Sequence, residues 1–414
     1  MPRMPRAPPA ARPAGSCGGR ARVGFRRSNT WSHRGKRMLR GLIKTGAAYA
    51  LRWTGTSRLT ASLSGKGHAP LILGYHRVVE DVRAHLPTSI PAMLISRSML
   101  ERHLDWIGRR YRIVSLDEIG NYVESGLRFD RPVAAVTFDD GYADVYHNAF
   151  PLLRKKGIPA AVFVVSGLMG STECFVHDKL YLLLSRRVSR EADCSQVLRS
   201  LESHGLRLHE VAATRRFRRA AFDLTAMMLD SLNQEQLRRA VMALEGDCGP
   251  EPEHLADLQP LEWEMLREMQ GAGMTIGSHT RTHALLTNES RPKLLLETTD
   301  SRRDLERELG VPIRHFAYPD GRFDEDAVEA VHGAGYAFAY TICRHRDPRR
   351  PLLTIPRTML WENSCLDALG RFSSAMMGCQ VDGVFGFASQ CGSRHTRLGP
   401  SDPPADQDLI CKAG

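Results

Sequence analysis

The chain has 414 residues, of which 42% are hydrophobic and 25% are charged, as in proteins with a substantial folded core. Its net charge of +11 belongs to one end, because residues 1–79 hold 16 of the 57 Lys and Arg and none of the 46 Asp and Glu. The remainder, with 41 basic and 46 acidic groups, argues against nucleic acid as a main partner, since phosphate binding needs a basic folded surface.

The first 68 residues are predicted to be a basic, partly disordered N-terminal segment. Residues 1–37 are rich in Arg, Pro, Gly and Ser and have little to bury. Residues 38–63 carry apolar side chains at helical spacing among Arg and Lys, which predicts an amphipathic helix. This helix could make a peripheral membrane contact or pack on its own domain, and the sequence leaves both open. No secretory signal is visible, so we expect cytoplasmic action, with membrane-peripheral attachment as the alternative.

Strands and helices alternate between residues 69 and 372. Strands are predicted at Pro70–Tyr75, Val133–Phe138, Ala160–Val165, Met274–Ser278, His315–Tyr318 and Ala337–Cys343. Helices are predicted at Ser98–Arg109, Tyr146–Lys156, Leu261–Gly271, Arg291–Leu309 and Asp324–Gly333. The alternation predicts an α/β fold with a covered parallel sheet, and six or more units in about 300 residues suit a (β/α) barrel better than an open sheet.

Two intervals depart from this alternation. Residues 172–258 are helical in composition without a clear strand, and we predict a helical insertion placed above the barrel mouth. Residues 373–414 show no periodicity and are predicted to be a flexible C-terminal tail. The predicted folded domain therefore comprises residues 69–372.

Two acids follow one predicted strand, and two histidines follow another. Asp139 and Asp140 come directly after Phe138, where barrel enzymes place catalytic groups, although Asp-Gly is also a common turn pair. His279 and His283 follow Ser278, and such a pair converges on one ion if the chain turns helically between them. Two surface histidines are the default for that spacing alone. Together, one carboxylate and two imidazoles would hold a tetrahedral ion with a position left for water.

Two further strand ends carry weaker signals. Tyr318 and Pro319 begin a turn that could offer a backbone N–H and an aromatic wall to a substrate, or could simply end the strand. His76 follows the first strand, where a lone histidine is more often structural.

Three ordered motifs resemble those of the polysaccharide deacetylase family, also called the NodB-homology domain or carbohydrate esterase family 4. They are Thr-Phe-Asp-Asp-Gly at 137–141, Ser-His-x-x-x-His at 278–283 and Tyr-Pro-x-Gly at 318–321. The resemblance covers residues 70 to about 360. It implies a distorted (β/α) barrel of the glycoside hydrolase/deacetylase type that removes N-acetyl groups from a polysaccharide or glycan precursor, so that the partner is an N-acetylated glycan.

The resemblance also implies one divalent metal ion at the barrel mouth, with Zn²⁺ first and Co²⁺, Ni²⁺ or Fe²⁺ as alternatives. Asp140, His279 and His283 match the metal ligands. Asp139 matches the general base, which takes a proton as metal-bound water attacks the acetamide carbonyl. Tyr318 belongs to the turn expected to bind substrate, together with Pro319 as its neighbour.

Two positions depart from the family pattern. Many members carry an arginine one position before the Tyr-Pro turn that braces the catalytic Asp, but Ala317 stands there, and we predict Arg357 as the substitute. No late Leu-x-x-His motif supplies a general acid. The Tyr75-His76 segment is similar to the arrangement in poly-N-acetylglucosamine deacetylases, which predicts His76 as the acid.

Two other functions stay open. The first is a metal-dependent amidohydrolase that acts on a non-sugar amide, because the residues at the barrel mouth determine the reaction more than they determine the substrate. The other is a glycan-binding component whose catalytic site has decayed. The presence of all the motif acids and histidines argues against decay, and Ala317 argues weakly for it.

Overall fold

The computed structural model describes residues 45–48, 50, 69–125, 129–190, 194–206, 208, 220–248, 258–343 and 345–384. The strands are β1 Leu71–Tyr75, β2 Arg77–Val79, β3 Leu94–Ser96, β4 Arg112–Ile113, β5 Val133–Phe138, β6 Ala160–Val164, β7 Thr275–Ser278, β8 His315–Ala317, β9 Phe338–Thr341, β10 Ile355–Pro356 and β11 Thr358–Met359. The helices are α1 Val82–His85, α2 Arg97–Gly108, α3 Leu116–Glu124, α4 Phe150–Lys156, α5 Val176–Arg190, α6 Cys194–Ser203, α7 Ala220–Ser231, α8 Gln234–Cys248, α9 Trp263–Gly271, α10 Arg291–Leu295, α11 Ser301–Leu309, α12 Glu325–Gly333 and α13 Ser374–Val381.

The main sheet is parallel, with eight strands in the order β10-β9-β8-β7-β6-β5-β1-β11 and a ninth, β4, that pairs with β5. The two outermost strands, β10 and β11, are separated in sequence by Arg357 alone. The N–H of Arg357 donates to Thr341 on β9 at 2.9 Å, and the N–H of Leu360 donates to Gly74 on β1 at 2.8 Å. One stretch of chain thus joins both edges of the sheet and nearly closes it. The predicted (β/α) barrel is confirmed.

The sheet core explains why the longer strands were recognisable. All six residues of β5 are buried, as is usual for parallel strands with both faces covered. Each of the six predicted strands is present within two residues of its expected ends. The predicted helix at Arg291–Leu309 is divided into α10 and α11 by a π-helical turn at Leu296–Asp300.

The interval between β6 and β7 contains α5 to α9, and α5 to α8 pack around a hydrophobic core of their own. Its centre is formed by fully buried leucines and methionines from three of these helices, including Leu184, Leu224, Met228 and Leu244. Parts of this interval, at 191–193, 207, 209–219 and 249–257, lie outside the described residues. The first of these helices, α5, is separated from β6 by eleven residues and begins at the carboxyl edge of the sheet.

The expected flexible tail does not begin at residue 373. Ser373 caps α13 by accepting a hydrogen bond from Met376 N–H, and Met377 and Cys379 are buried, so the prediction is wrong for residues 373–384. Residues 385–414 lie outside the described part of the chain.

Little of the basic N-terminal segment is described. Residues 45–48 and 50 are helical, and Ala48 is buried against Ala375, Met376 and Cys379 of α13. This short piece therefore packs on the folded domain, while the rest of the predicted helix at 38–63 lies outside the described residues. Within the described ranges, no helix has the length and apolar character needed to cross a bilayer.

Candidate metal centre

The predicted site residues gather at the carboxyl ends of the barrel strands. His76 follows β1, Asp139 and Asp140 follow β5, and His279 follows β7. Because the strands are parallel, these ends share one mouth of the barrel, where barrel enzymes carry their active sites.

Asp140, His279 and His283 converge on one point. The Oδ1 atom of Asp140 lies 3.2 Å from Nε2 of His283 and 3.5 Å from Nε2 of His279. One ligand atom from each residue lies within 4.8 Å of the other two. Asp140 and His279 are buried, whereas the His283 side chain is about one-fifth exposed. The cluster therefore opens toward solvent on the His283 side.

The tautomer of His279 is set by the backbone. Its Nδ1 lies 2.7 Å from the carbonyl oxygen of Ala317, which can only accept, so Nδ1 carries the proton. The lone pair of His279 is then on Nε2, the atom that faces Asp140. This orientation suits a metal ligand, whose second nitrogen commonly donates to a backbone carbonyl.

The carboxylate of Asp140 fits a bound cation. Both of its oxygens are buried and have no hydrogen-bond partner among the residues that the structure describes. A buried carboxylate without a compensating partner is costly. One carboxylate with two imidazoles is a donor set that suits Zn²⁺ and its first-row neighbours. The residues present therefore fit a divalent metal ion.

The backbone is strained at this mouth. Asp140, Thr280, His283 and Asp320 have φ values of 71°, 66°, 61° and 52°, in the left-handed region that non-glycine residues seldom adopt. Each such conformation costs on the order of 1–3 kcal/mol and persists only where the surroundings enforce it. Two of the four are metal-ligand candidates, so the strain coincides with the predicted chemistry.

A buried glutamate holds the strained histidine loop. Glu297, on the π-helical turn, accepts hydrogen bonds through Oε2 from the N–H groups of Arg281 and Thr282 at 3.0 and 2.9 Å. Its Oε1 accepts from the Thr282 hydroxyl at 2.7 Å and pairs with Lys293 at 2.8 Å. The loop between the two histidines is therefore fixed by a carboxylate that the sequence analysis did not identify.

Arg357 grips the neighbouring acid. Its two terminal nitrogens donate to the two carboxylate oxygens of Asp139 at 2.6 and 2.7 Å, and both side chains are buried. Burial alone would raise the pKa of Asp139, but the charge of Arg357 and its hydrogen bonds to the carboxylate outweigh burial and lower the pKa. Asp139 is therefore ionised and held in one orientation. Arg357 makes the contact with Asp139 that was predicted for an arginine replacing the one missing at Ala317.

The histidines of the cluster differ in their protonation. Burial lowers the pKa of His279 to about 4, which keeps it neutral. Burial would also lower the pKa of His283, but the adjacent Asp140 carboxylate outweighs burial and raises it. His283, and after it the partly exposed His76, hold the pKa of the Asp140 carboxyl well below its usual range against the effect of burial.

The predicted role of Tyr318 needs a correction. Its N–H already donates to the carbonyl of Tyr340 at 3.0 Å, and its ring is fully buried against Phe316 and Phe323. Neither its N–H nor its ring is therefore free to meet a substrate, because the residue continues the β8 ladder into the core. Pro319 is buried as well.

A second group beside the cluster was not expected from the sequence. His177, at the start of α5, lies with Nε2 4.0 Å from Oδ2 of Asp140, and its ring centroid is 4.6 Å from that of His283. Tyr142 and Asp178 complete this group through hydrogen bonds. Tyr142 directly follows the Asp-Asp-Gly motif. His177 and Asp178 belong to the helical insertion, and no sequence motif links them to Tyr142.

Comparisons with known proteins agree with the motifs. A family model described as polysaccharide deacetylase matches residues 127–339, about half of the chain. A poly-beta-1,6-N-acetyl-D-glucosamine N-deacetylase of Staphylococcus aureus is 29% identical over 116 residues, which cover 26% of this chain and 40% of that protein. The chain spans about two-fifths of the length of the curated relatives that it matches.

Solved structures with a similar fold were also found. IcaB from Ammonifex degensii is 19% identical, with a TM-score of 0.46 over 76% of this chain and 98% of that one. The Streptococcus pyogenes deacetylase PplD, solved in complex with acetate, is 16% identical, with a TM-score of 0.45 over 72% of this chain and 95% of that one.

Proposed function

Because the chain belongs to the polysaccharide deacetylase family, we propose that it is a metal-dependent hydrolase that removes N-acetyl groups from a polysaccharide or a glycan precursor. One observation carries this proposal. The cluster of Asp140, His279 and His283 lies beside an ionised Asp139 that Arg357 holds in place.

The metal would be held by Asp140 through Oδ1 and by His279 and His283 through Nε2. When bound, a divalent ion supplies Lewis acidity, which lowers the pKa of water toward about 7 and polarises a carbonyl oxygen. We propose Zn²⁺ first, with Co²⁺, Ni²⁺ and Fe²⁺ as alternatives, because this donor set does not discriminate sharply between them.

Side chains of this protein accept and donate the protons of the reaction. Asp139 accepts a proton from the attacking water while Arg357 keeps its carboxylate ionised and oriented. The water oxygen bonds to the acyl carbon, the carbon–nitrogen bond breaks, and His76 donates a proton to the departing amine, so that the products are acetate and a free amine. Positioned acid and base groups typically contribute factors of about 10² to 10⁴ each.

The substrate class is proposed from the relative in Staphylococcus aureus, whose name states that it deacetylates poly-beta-1,6-N-acetyl-D-glucosamine. We propose an N-acetylglucosamine-containing glycan for this chain too. An N-acetyl group on such a sugar presents the acetamide carbonyl and the amine leaving group that the cluster and His76 would serve.

Acetate release tests this function. The purified chain would be incubated with poly-N-acetylglucosamine and with chitooligosaccharides, before and after treatment with a chelator and after return of Zn²⁺. We expect release that the chelator abolishes and Zn²⁺ restores, and that is absent in Asp140→Ala. Release that survives complete metal removal would contradict the proposal.

Two other results would identify the alternatives. Chelator-sensitive hydrolysis of small non-sugar amides, with none from the glycans, would indicate an amidohydrolase. Glycan binding without any acetate release by the zinc-loaded chain would indicate a non-catalytic component.

A further inference from the structure

The helical insertion is joined to the segment of chain that carries His283. Helices α7 and α8 of the insertion are connected by a two-residue turn, and this turn lies against residues 282–289. Two of the side chains that make the contact, Gln234 and Glu289, are only 4% and 7% exposed. The contact is therefore largely shielded from water.

Asn288 and Glu289 cap the two helices that meet at this turn. The last carbonyls of a helix and its first N–H groups have no partner within the helix. The side-chain amide of Asn288 donates to the carbonyls of Asp230 and Leu232, each at 3.1 Å, at the end of α7. The carboxylate of Glu289 accepts from the N–H of Gln234 at 2.6 Å, at the start of α8. Two consecutive residues of the barrel loop thus hold both helices.

Gln234 makes the return contact, to the loop between the two histidines. Its side-chain nitrogen Nε2 donates to the carbonyl oxygen of Thr282 at 2.6 Å. A carbonyl oxygen only accepts, so the nitrogen of the Gln234 amide faces it. This carbonyl and the N–H of His283 belong to the same planar peptide unit. Gln234 therefore fixes the plane from which the backbone of His283 continues.

The fixed plane matters because the backbone of His283 is strained. Its φ of 61° lies in the left-handed region, which persists only where the surroundings enforce it. On the other side of Thr282, the N–H is held by Glu297 at 2.9 Å. Both peptide units of Thr282 are thus held, one from the barrel and one from the insertion. The backbone so fixed directs the imidazole of His283, whose Nε2 lies 3.2 Å from Oδ1 of Asp140.

We infer that Gln234 is a positioning residue that holds the backbone of His283 so that its Nε2 is presented to the metal, and that the helical insertion thereby contributes to metal affinity. The inference rests on the metal site of the proposed function. Groups that orient metal ligands typically contribute about 10- to 100-fold to affinity. Gln234 acts through the backbone and not on the imidazole itself, so we expect the lower end of that range.

The test measures binding of Co²⁺ alone to the full metal-free chain. Gln234→Met keeps the length of the side chain but cannot donate, and it should weaken cobalt binding about 10-fold. Gln234→Glu turns a carboxylate oxygen toward the Thr282 carbonyl and should weaken it further, because two acceptors then face each other. Competition with a chelator gives the dissociation constants. The visible absorption of the bound cobalt should change in both variants, since His283 shifts.

Gln236→Met is the matched control. Gln236 lies two residues further along α8, where its Oε1 accepts from the N–H of Asn233 at 2.9 Å and its own N–H donates to the Asn233 side chain at 2.9 Å. The same substitution there removes a contact at the start of the same helix and leaves the contact between Gln234 and Thr282 in place. Cobalt affinity and spectrum should stay parental. The free energy of unfolding in urea, measured for both methionine variants, separates loss of stability from loss of metal.

Should Gln234→Met not fold, Gln234→Asn takes its place, because its shorter amide cannot reach the Thr282 carbonyl. Parental affinity and spectrum in the folded Gln234 variants would overturn the role of Gln234 while leaving the proposed function intact. Equal losses in Gln234→Met and Gln236→Met would also overturn it, since the effect would then come from the stability of α8. A parental chain that binds no cobalt, or a His283→Ala chain that binds it as tightly, would overturn the metal site and this inference together.

Discussion

The guanidinium of Arg357 donates to both carboxylate oxygens of Asp139, at 2.6 and 2.7 Å, from the one residue that separates the two edge strands of the barrel. The same nitrogen that contacts Oδ1 also donates to the Thr137 hydroxyl at 3.1 Å, which in turn donates to the Leu73 carbonyl. Arg357 therefore serves both closure of the barrel, through its backbone N–H, and orientation of the candidate base, through its side chain.

Removing this side chain should damage catalysis without emptying the metal site. We expect Arg357→Ala to lower kcat/KM for acetate release by about 10² to 10⁴, because Asp139 loses both its orientation and the charge that keeps it ionised. Zinc content by elemental analysis should match that of the parental chain, since none of the three ligand candidates contacts Arg357. Arg357→Lys keeps the charge without the two-pronged contact and should be intermediate. Parental activity in the alanine variant would contradict the assigned role.

Moving the arginine to the family position provides the control for a merely structural effect. Ala317 belongs to the same buried cluster as Phe163, whose ring lies 5.1 Å from the Arg357 guanidinium. Ala317→Arg alone should destabilise the fold, because it adds volume and charge to a filled interior. Combined with Arg357→Ala it should recover part of the lost kcat/KM. No recovery in a well-folded double variant would count against the substitution hypothesis.

His76 should matter most for leaving groups that need a proton. His76→Ala should reduce deacetylation of an N-acetylated sugar by about 10² to 10⁴ while zinc content stays at the parental level. An activated acetanilide, whose less basic amine departs with little help, should lose much less. The exposed His204, placed beyond the end of α6, supplies His204→Ala as the control with parental rates on both substrates. Equal losses on both substrates would argue against proton donation by His76.

The sequence was informative where chemistry and periodicity coincide. The six predicted strands could be recognised because they lie in mostly apolar runs. Asp140, His279 and His283 could be recognised because their types and spacing match a metal site at strand ends. Strands β10 and β11 have two residues each, too few for any periodicity. These two strands form because their residues pair with β9 and β1 at the edges of the sheet.

The parts that could not be predicted arise from packing between distant segments. His177 meets Asp140 because α5 folds back over the mouth, and Glu297 meets the histidine loop because a π-helical turn points it inward. The tail prediction failed for a different reason. The helix α13 is buried on several sides by Met376, Met377 and Cys379, so its sequence shows no amphipathic pattern.

Glu297 should affect metal affinity, because it holds the backbone of the loop between His279 and His283. We expect Glu297→Ala to weaken zinc binding about 10- to 100-fold, because the N–H groups of Arg281 and Thr282 lose the acceptor that holds the strained loop. Glu297→Gln retains one acceptor oxygen and should lose less. Thr282→Val removes only the hydroxyl contact and should lose least. Competition with a chelator measures the series, and Asp300→Asn is the control, because Asp300 pairs with the side chains of Arg281 and Arg303. Equal affinities across the series would refute the role.

A buried histidine away from the metal centre should make stability depend on pH. Burial lowers the pKa of His103 to about 4, its Nε2 is buried without a partner among the described residues, and its Nδ1 lies 3.3 Å from the Tyr75 hydroxyl. An unfolded chain binds a proton at this histidine near pH 6.5, whereas the folded chain binds it only near pH 4. Between these values the unfolded state binds more protons, so stability falls as the pH is lowered.

From pH 7 to pH 5 this difference removes about 2 kcal/mol from the free energy of unfolding. His103→Leu cannot bind the proton, so its free energy of unfolding in urea should fall by about 2 kcal/mol less than that of the parental chain over the same interval. Other titrating groups, including His279, are common to both proteins and cancel in the comparison. The exposed His147 provides His147→Leu as a control whose pH dependence should follow the parental curve. If His103→Leu also followed the parental curve, His103 would have to be protonated in the folded core, and the contact with Tyr75 would then have to be a donation from its Nδ1–H.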